Sequence, residues 1–158
     1  MLKEMLGMSD GILEDLRADH RETEAMIEKI IKAEDNSERN SLFREMMDKL
    51  VAHLDAEQQV LYRKMEKSED EEIRIFAFEG ANEHQLAEQQ MQQMVKARNK
   101  ADEKWTAQLT VLKELVQHHV EEEEGTGHKL AKKEFDGETL EKMREQFRRQ
   151  KEKLLTAP

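Results

Sequence analysis

An apolar stripe with helical spacing repeats in four successive segments of the chain and leaves little room for any fold other than a helical bundle. In the first segment, the stripe runs from Leu13 to Ile30 in steps of three and four residues, the period of one helix face. Every stripe also carries one histidine where a leucine or isoleucine is expected. These histidines are His20, His53, His84 and His119, at intervals of 33, 31 and 35 residues. Each interval matches one long helix and a short turn.

The composition agrees with an all-α fold, because the only proline is the last of 158 residues and only six glycines occur. We expect helices over about residues 10–34, 37–67 and 70–99, a fourth beginning at Ala101 or Asp102, and a last helix at about 137–156. Ser9 or Asp10 should cap the first helix, and Gly125-Thr126-Gly127 should interrupt the fourth.

These segments predict an up-and-down antiparallel four-helix bundle over about residues 10–135, with an additional C-terminal helix. A chain of this length fits a single domain over residues 1–158.

Charge and residue content narrow the classes of function. A net charge of −10 repels a phosphate backbone, so we expect no nucleic-acid partner. The chain has no cysteine, which excludes a disulfide and a thiolate metal site. No stretch approaches the roughly 18 apolar residues of a membrane span, and the first ten residues lack the apolar core of a signal peptide. We therefore expect a cytoplasmic protein without membrane contact.

Each stripe histidine is followed four residues later by a glutamate, which places both side chains on one helix face. A single histidine on an apolar face is most often a core residue with one hydrogen-bond partner. Four such faces turned inward would bury several imidazoles and carboxylates together, at a cost of kilocalories per unpaired group. Bound cations would offset that cost, so the set predicts a metal site. The glutamates are Glu24, Glu57, Glu88 and Glu123.

The ligand types narrow the choice of metal. The absence of cysteine argues against structural zinc, and calcium prefers shells made of oxygen alone. Mixed imidazole and carboxylate ligands suit iron, manganese or zinc. Four histidines with two or more glutamates can serve two ions bridged by carboxylates, as in di-iron and di-manganese centres of helical bundles.

The ordered set of these residues resembles the hemerythrin-like HHE cation-binding domain family. The set comprises His20, the run His53-Leu-Asp-Ala-Glu57, then His84, and the run His119-Val-Glu-Glu-Glu123. The resemblance extends over about residues 10–135. It implies a four-helix bundle around two non-haem iron ions, with manganese or zinc less expected.

The resemblance also implies which residues hold the ions. The first two histidines of the set would bind one iron, the last two would bind the other, and the glutamates of the two runs would bridge them. In that order the residues are His20, His53, His84, His119, Glu57 and Glu123. An oxo or hydroxo group completes the bridge in this family, and an open position takes dioxygen, peroxide or nitric oxide.

Two positions depart from the oxygen-carrying hemerythrins. Those proteins have a second histidine four residues after the third-helix histidine, where this chain has Glu88. They also end with a histidine and an aspartate five residues apart, whereas His119 and Glu123 are four apart. Both differences resemble the bacterial branch of the family and favour peroxide or redox chemistry over reversible oxygen carriage. For Glu24 and Glu88 two roles remain open. Each either binds an ion directly, or lies beside the site and contacts water or a ligand histidine.

Several nearby residues are expected to stay outside the ion site. His118 lies about 100° around the helix from its neighbour, and His128 follows the glycine interruption, so we expect His128 at the surface. Tyr62 is five residues beyond Glu57 and about 140° around the helix, which is too far for direct ligation. Glu124 and its acidic neighbours should face water, apart from the glutamate already assigned.

Two functions follow from these residues. The first is a di-iron protein that binds or reduces dioxygen, peroxide or nitric oxide in storage, sensing or detoxification, with peroxide or dioxygen reduction as its candidate enzymatic activity. The alternative is a non-catalytic iron-binding module that senses iron or oxygen. In that case the C-terminal helix would report metal occupancy to a protein partner or form a homodimer. The four polar stripe positions disfavour a metal-free structural bundle.

Overall fold

The computed structural model describes residues 9–157, and these residues form helices joined by short turns. The second and the fourth helix each continue through a π-helical turn into a short last segment. The helices are α1 (Ile12–Lys32), α2 (Asn36–Glu57, the π turn Gln58–Tyr62, then Arg63–Met65), α3 (Glu71–Lys96), α4 (Glu103–Glu122, the π turn Glu123–Gly127, then His128–Glu134) and α5 (Gly137–Thr156). The all-α prediction is confirmed.

The helices pack in the order expected of an up-and-down bundle. Each of α1 to α3 contacts the next helix in the chain, and α4 also contacts α1. Helix α5 is the additional C-terminal helix, and it packs against both α1 and α2. In the described part of the chain, no helix combines the length and the apolar character needed to cross a membrane.

Aspartate side chains cap the starts of α2 to α5. Each accepts a hydrogen bond from a backbone N–H in the first turn of its helix. The caps are Asp35, Asp70, Asp102 and Asp136.

The start of α1 differs from the expectation of a cap at Ser9 or Asp10, because Gly11 occupies the cap position without a side-chain bond. Gly11 has a φ of +49°, a conformation that favours glycine. A Cβ there would overlap the backbone of Leu140, so the missing side chain lets α1 begin directly against α5.

Apolar side chains form two separate clusters along the bundle. One cluster contains Tyr62 and Phe147, and the other contains Phe43 and Trp105. On α1, the residue that separates the two clusters is His20, which lies between Leu16 and Ile27. The stripe histidines therefore form a polar layer between two halves of the core.

The two π turns follow Glu57 and Glu123, the glutamates expected to bridge the ions. In each turn, a backbone N–H donates to the carbonyl five residues earlier: Arg63 to Gln58, and His128 to Glu123. The predicted interruption at Gly125-Thr126-Gly127 is therefore wrong, because the hydrogen-bonded helix continues through these glycines.

Candidate metal centre

The bundle brings the four stripe histidines together from four different helices. Each is at most 8% exposed. Nε2 of His84 lies 3.1 Å from Nε2 of His119, and the rings of His20 and His53 have centroids 5.3 Å apart. The layer thus contains two pairs of imidazoles, one from α1 and α2 and one from α3 and α4.

Glu57 and Glu123 lie between the two pairs, and both are fully buried or nearly so. Glu57 places Oε1 2.9 Å from Nε2 of His84 and Oε2 3.9 Å from Nε2 of His53. Glu123 places Oε2 3.0 Å from Nε2 of His119 and Oε1 3.3 Å from Nε2 of His20. Each carboxylate therefore directs one oxygen to each histidine pair, which is the arrangement that a carboxylate bridge between two ions requires.

Three of the histidines bond to carboxylates through their outer nitrogens. Nδ1 of His20 lies 2.7 Å from Glu124, Nδ1 of His53 lies 2.8 Å from Asp19, and Nδ1 of His119 lies 3.2 Å from Glu83. A carboxylate can only accept there, so Nδ1 carries a hydrogen, and in the neutral form of each imidazole Nε2 presents its lone pair inward. That tautomer is the one that binds a metal through Nε2.

Tyr62 supports the site between α2 and α4. Its hydroxyl donates to Oε2 of Glu123 at 2.6 Å, and its ring stacks on His84 with centroids 5.1 Å apart. Gly80 makes room for this ring, because a Cβ at that position would overlap it.

The buried charges of the layer shift one another's pKa values. Burial, followed by repulsion from Glu123, raises the pKa of Glu57 to about 7. Burial alone would raise the pKa of Glu123, but hydrogen bonds from surrounding histidines hold it well below its usual range. Burial alone would lower the pKa of His20, but the adjacent carboxylate of Glu123 and other nearby negative charge raise it to about 9.

The pKa values of His84 and His119, which form the other pair, are shifted in opposite directions. Burial and the neighbouring His119 lower the pKa of His84 to about 3. Burial also opposes the charged form of His119, but the carboxylates of Glu123 and Glu57 beside it raise its pKa well above the usual range. Without metal, protons on His20 and His119 therefore balance the buried carboxylates, and cations that bind would displace them.

The donor set fits metal ions. Two groups of side chains each offer ligand atoms within 4.8 Å of one another, and Glu57 belongs to both groups. Within residues 9–157, no hydrogen-bond partner is found for Nε2 of His20 and His53, both oxygens of Glu57, or Oε1 of Glu123. Unpaired polar atoms in a buried layer are costly, and shared cations would satisfy all of them. The groups are Glu57, His84, His119 and Glu123, and His20, His53 and Glu57.

Glu24 and Glu88 lie outside both groups. The side chain of Glu24 is 39% exposed and pairs with Arg21 on its own helix. Glu88 is half-buried on α3, where burial and a hydrogen bond to Asp55 raise its pKa to about 8.

Two expectations about surface residues were wrong. His128 is only 5% exposed, and its Nε2 lies 3.8 Å from Oε1 of Glu123. Glu124 does not simply face water, because it bonds to His20. By contrast, the side chain of His118 is 66% exposed beside Glu83, as expected for a residue flanking the site.

The sequence reasoning missed His128 because it placed a helix interruption at Gly125-Thr126-Gly127, where the structure has a π turn. Residues five apart are widely separated around an α-helix, but a π turn stacks them on one face. The same geometry brings Tyr62 to the site after Glu57.

A small cavity of about 20 Å³ adjoins all four histidines. It has room for about one water-sized molecule. Apart from the histidines and Glu83, its walls are Thr23, Leu50, Leu54, Ala87, Leu115, Val116 and Val120.

Comparison with known proteins agrees with this geometry. The family model described as hemerythrin HHE cation binding domain matches residues 11–131. Comparisons with curated proteins and with solved structures gave no significant match. The match covers most of the chain and contains all six histidine and glutamate positions of the buried layer. The chain therefore belongs to the hemerythrin HHE cation-binding domain family.

Proposed function

We propose that this protein holds two iron ions between Glu57 and Glu123 and binds or reduces dioxygen, peroxide or nitric oxide. His20 and His53 would hold one ion, and His84 and His119 would hold the other. The proposal rests on one observation: Glu57 and Glu123 each direct one carboxylate oxygen to each histidine pair. Iron bound there would supply a redox couple and a Lewis acid.

The protein's own residues would prepare the site for these ligands. The carboxylates bonded to Nδ1 fix the ligand tautomers of three histidines and make them stronger donors. The largely apolar cavity beside the histidines admits a diatomic molecule or peroxide and excludes larger substrates. Iron suits the mixed imidazole and carboxylate set, as manganese and zinc also do to a lesser degree in this family.

The alternative function, an iron- or oxygen-sensing module, is supported by a contact between α5 and the centre. Oδ2 of Asp19 bonds both to Nδ1 of His53, at 2.8 Å, and to Nζ of Lys151 on α5, at 2.7 Å. The ring of Phe147, also on α5, packs edge-on against His53 with centroids 5.7 Å apart. A change at His53 on metal binding would therefore reach the C-terminal helix.

Metal analysis and the visible spectrum test the two-ion site. Wild-type protein reconstituted with ferrous iron in air should bind one ion for each of the two ligand groups and show charge-transfer absorption of a bridged ferric pair. Glu57→Ala should bring iron content well below that of wild type, because Glu57 belongs to both groups. His118→Ala, which changes an exposed histidine, should retain it. Colourless wild-type protein without iron would overturn the proposal, as would equal iron loss in both variants.

A cavity-filling variant tests whether the small ligand binds beside the histidines. Ala87→Leu should leave iron content unchanged and weaken nitric oxide binding or peroxide consumption at least about tenfold, because the added methyl groups occupy the cavity. Ala107→Leu makes the same change on the exposed side of α4 and serves as the control. Unchanged ligand binding in Ala87→Leu would show that the ligand binds elsewhere. Iron loading with no response to any of these ligands would favour the sensing module.

A further inference from the structure

His128 differs from the other histidines of the centre in what its outer nitrogen contacts. Nδ1 of His20, His53 and His119 faces a carboxylate, whereas Nδ1 of His128 lies 3.3 Å from Nη1 of Arg17. The guanidinium is itself anchored, because its Nη2 donates to Asp10 at 2.8 Å. A cation therefore occupies the place that a carboxylate occupies at His20, His53 and His119.

This contact fixes the opposite tautomer. An arginine N–H can only donate, so Nδ1 of His128 must accept. A neutral imidazole that accepts at Nδ1 carries its hydrogen at Nε2. His20, His53 and His119 present a lone pair to the interior of the site, but His128 presents an N–H, which can donate a hydrogen bond and cannot bind a metal.

The N–H of His128 faces Glu123. Its Nε2 lies 3.8 Å from Oε1 of Glu123, and only 7% of its side chain is exposed. Within residues 9–157, this nitrogen has no hydrogen-bond partner, so a small rotation toward Oε1 would satisfy it. The other oxygen of Glu123 already accepts from the Tyr62 hydroxyl. In the same part of the chain, Glu57 pairs only with Nε2 of the layer's own histidines, so no donor from outside the layer reaches it.

We infer that His128 is a positioning residue that donates a hydrogen bond from Nε2 to Oε1 of Glu123 and orients this carboxylate between the two ions. The inference rests on the proposed two-ion site. Together with Tyr62, His128 draws electron density from Glu123, while Glu57 keeps its full donor strength. A carboxylate with less negative charge stabilises the reduced state of the ions that it binds.

Nitrogen NMR of the histidine side chains tests the tautomer directly. In protein labelled with ¹⁵N-histidine and loaded with zinc alone, we expect His128 to carry its hydrogen at Nε2, and His20, His53 and His119 to carry theirs at Nδ1. A metal-bound Nε2 at His128, or a hydrogen at its Nδ1, would overturn the inference. The tautomer of His128 can also be read in the metal-free protein, so a failure of zinc or iron to bind overturns the proposed function while the tautomer of His128 still decides this inference.

Two substitutions then test the hydrogen bond. His128→Leu removes the donor, so we expect a lower midpoint potential of the iron centre and roughly 10- to 100-fold weaker cobalt(II) binding, with the ion count unchanged. His128→Gln retains an N–H donor and should recover most of both losses. Equal potentials in wild type and His128→Leu, or equal effects of the two substitutions, would overturn the inference. Loss of one ion in His128→Leu, as expected for His20→Ala, would identify His128 as a ligand and also overturn it.

Discussion

At the residue scale, the group bonded to the outside of each histidine determines what that histidine offers to the site. A carboxylate at Nδ1 leaves Nε2 of the neutral imidazole free to bind a metal, as at His53, whereas a guanidinium at Nδ1 would leave a hydrogen-bond donor at Nε2, as we infer for His128. The residues bonded to these outer nitrogens also form ion pairs with other side chains. Asp19 is held by Lys151 as well as by His53, and its pKa stays below the usual range although burial opposes this. The centre is therefore tuned by residues that need not contact an ion.

The protonation of His20 predicts a pH dependence for the metal-free protein. Its pKa is raised from 6.5 to about 9, so its contribution to stability is fully present below pH 6.5 and is lost as the pH rises through about 9. His119 acts in the same direction. At about 1.4 kcal/mol per pKa unit, the free energy of unfolding should fall by at least about 2 kcal/mol between pH 7 and pH 9. Denaturant titrations of metal-free protein at the two pH values measure this difference.

His20→Gln is the control for that prediction, because the amide does not titrate. The variant should lose less stability than wild type over the same range. Equal losses in both proteins would show that His20 does not hold the proton. Protein loaded with zinc should also lose less, since the cation has replaced the proton.

At the element scale, the two π turns place residues at the site that an α-helix would turn away from it. One turn follows Glu57 and the other begins at Glu123, and each brings the residue five positions after its glutamate onto the same face. Tyr62 and His128 reach Glu123 in this way. The turns therefore place two additional polar side chains beside Glu123, and each helix resumes as an α-helix after its turn.

The two glycines of the second π turn should respond in opposite ways to alanine. A Cβ at Gly125 would have no neighbouring atom within 4 Å, so Gly125→Ala should stabilise the protein by about 0.4–1 kcal/mol. A Cβ at Gly127 would lie 2.5 Å from the Phe76 ring, so Gly127→Ala should destabilise it by about 1–3 kcal/mol. Thermal or denaturant unfolding of the two variants measures the change in stability of each. A stabilised Gly127→Ala variant would contradict the packing described for this turn.

The sequence was sufficient for the helices and the buried layer, because stripe spacing and capping aspartates such as Asp70 and Asp102 are local signals. It was not sufficient for His128, because no single residue signals a π turn and the glycines of the fourth helix indicated an interruption. The outer partners were also missed. Asp19 and Glu83 directly precede histidines in the chain, yet each bonds to a histidine on a neighbouring helix, which only the packing of the bundle determines.

At the scale of the whole molecule, a buried polar layer divides the core into two apolar halves. Residues from α1 to α4 line the layer, and α5 braces one side of it through Lys151 and Phe147. Ions bound in the layer would therefore join parts of every helix, and their removal would loosen the bundle at its middle rather than at an end.

Hydrogen exchange measures how far this loosening extends. On metal removal, backbone amides of α5 near Phe147 should exchange faster, because His53 no longer holds Asp19 and its contact with Lys151 in place. Amides near Trp105, in the other half of the core, should change less. Lys151→Met should reduce the difference between metal-free and loaded protein in α5. An equal change throughout the chain would contradict a specific link between the centre and α5.

The two helical hairpins contribute the same kinds of residues to the buried layer, with one difference. The hairpin of α1 and α2 and the hairpin of α3 and α4 each supply two buried histidines, one buried glutamate and a π turn. The symmetry ends five residues after each glutamate, where one hairpin has Tyr62 and the other has His128, and both face Glu123. If the layer holds two ions as proposed, two equal halves would share a first added electron equally, whereas unequal donors at Tyr62 and His128 would give that electron a preferred half.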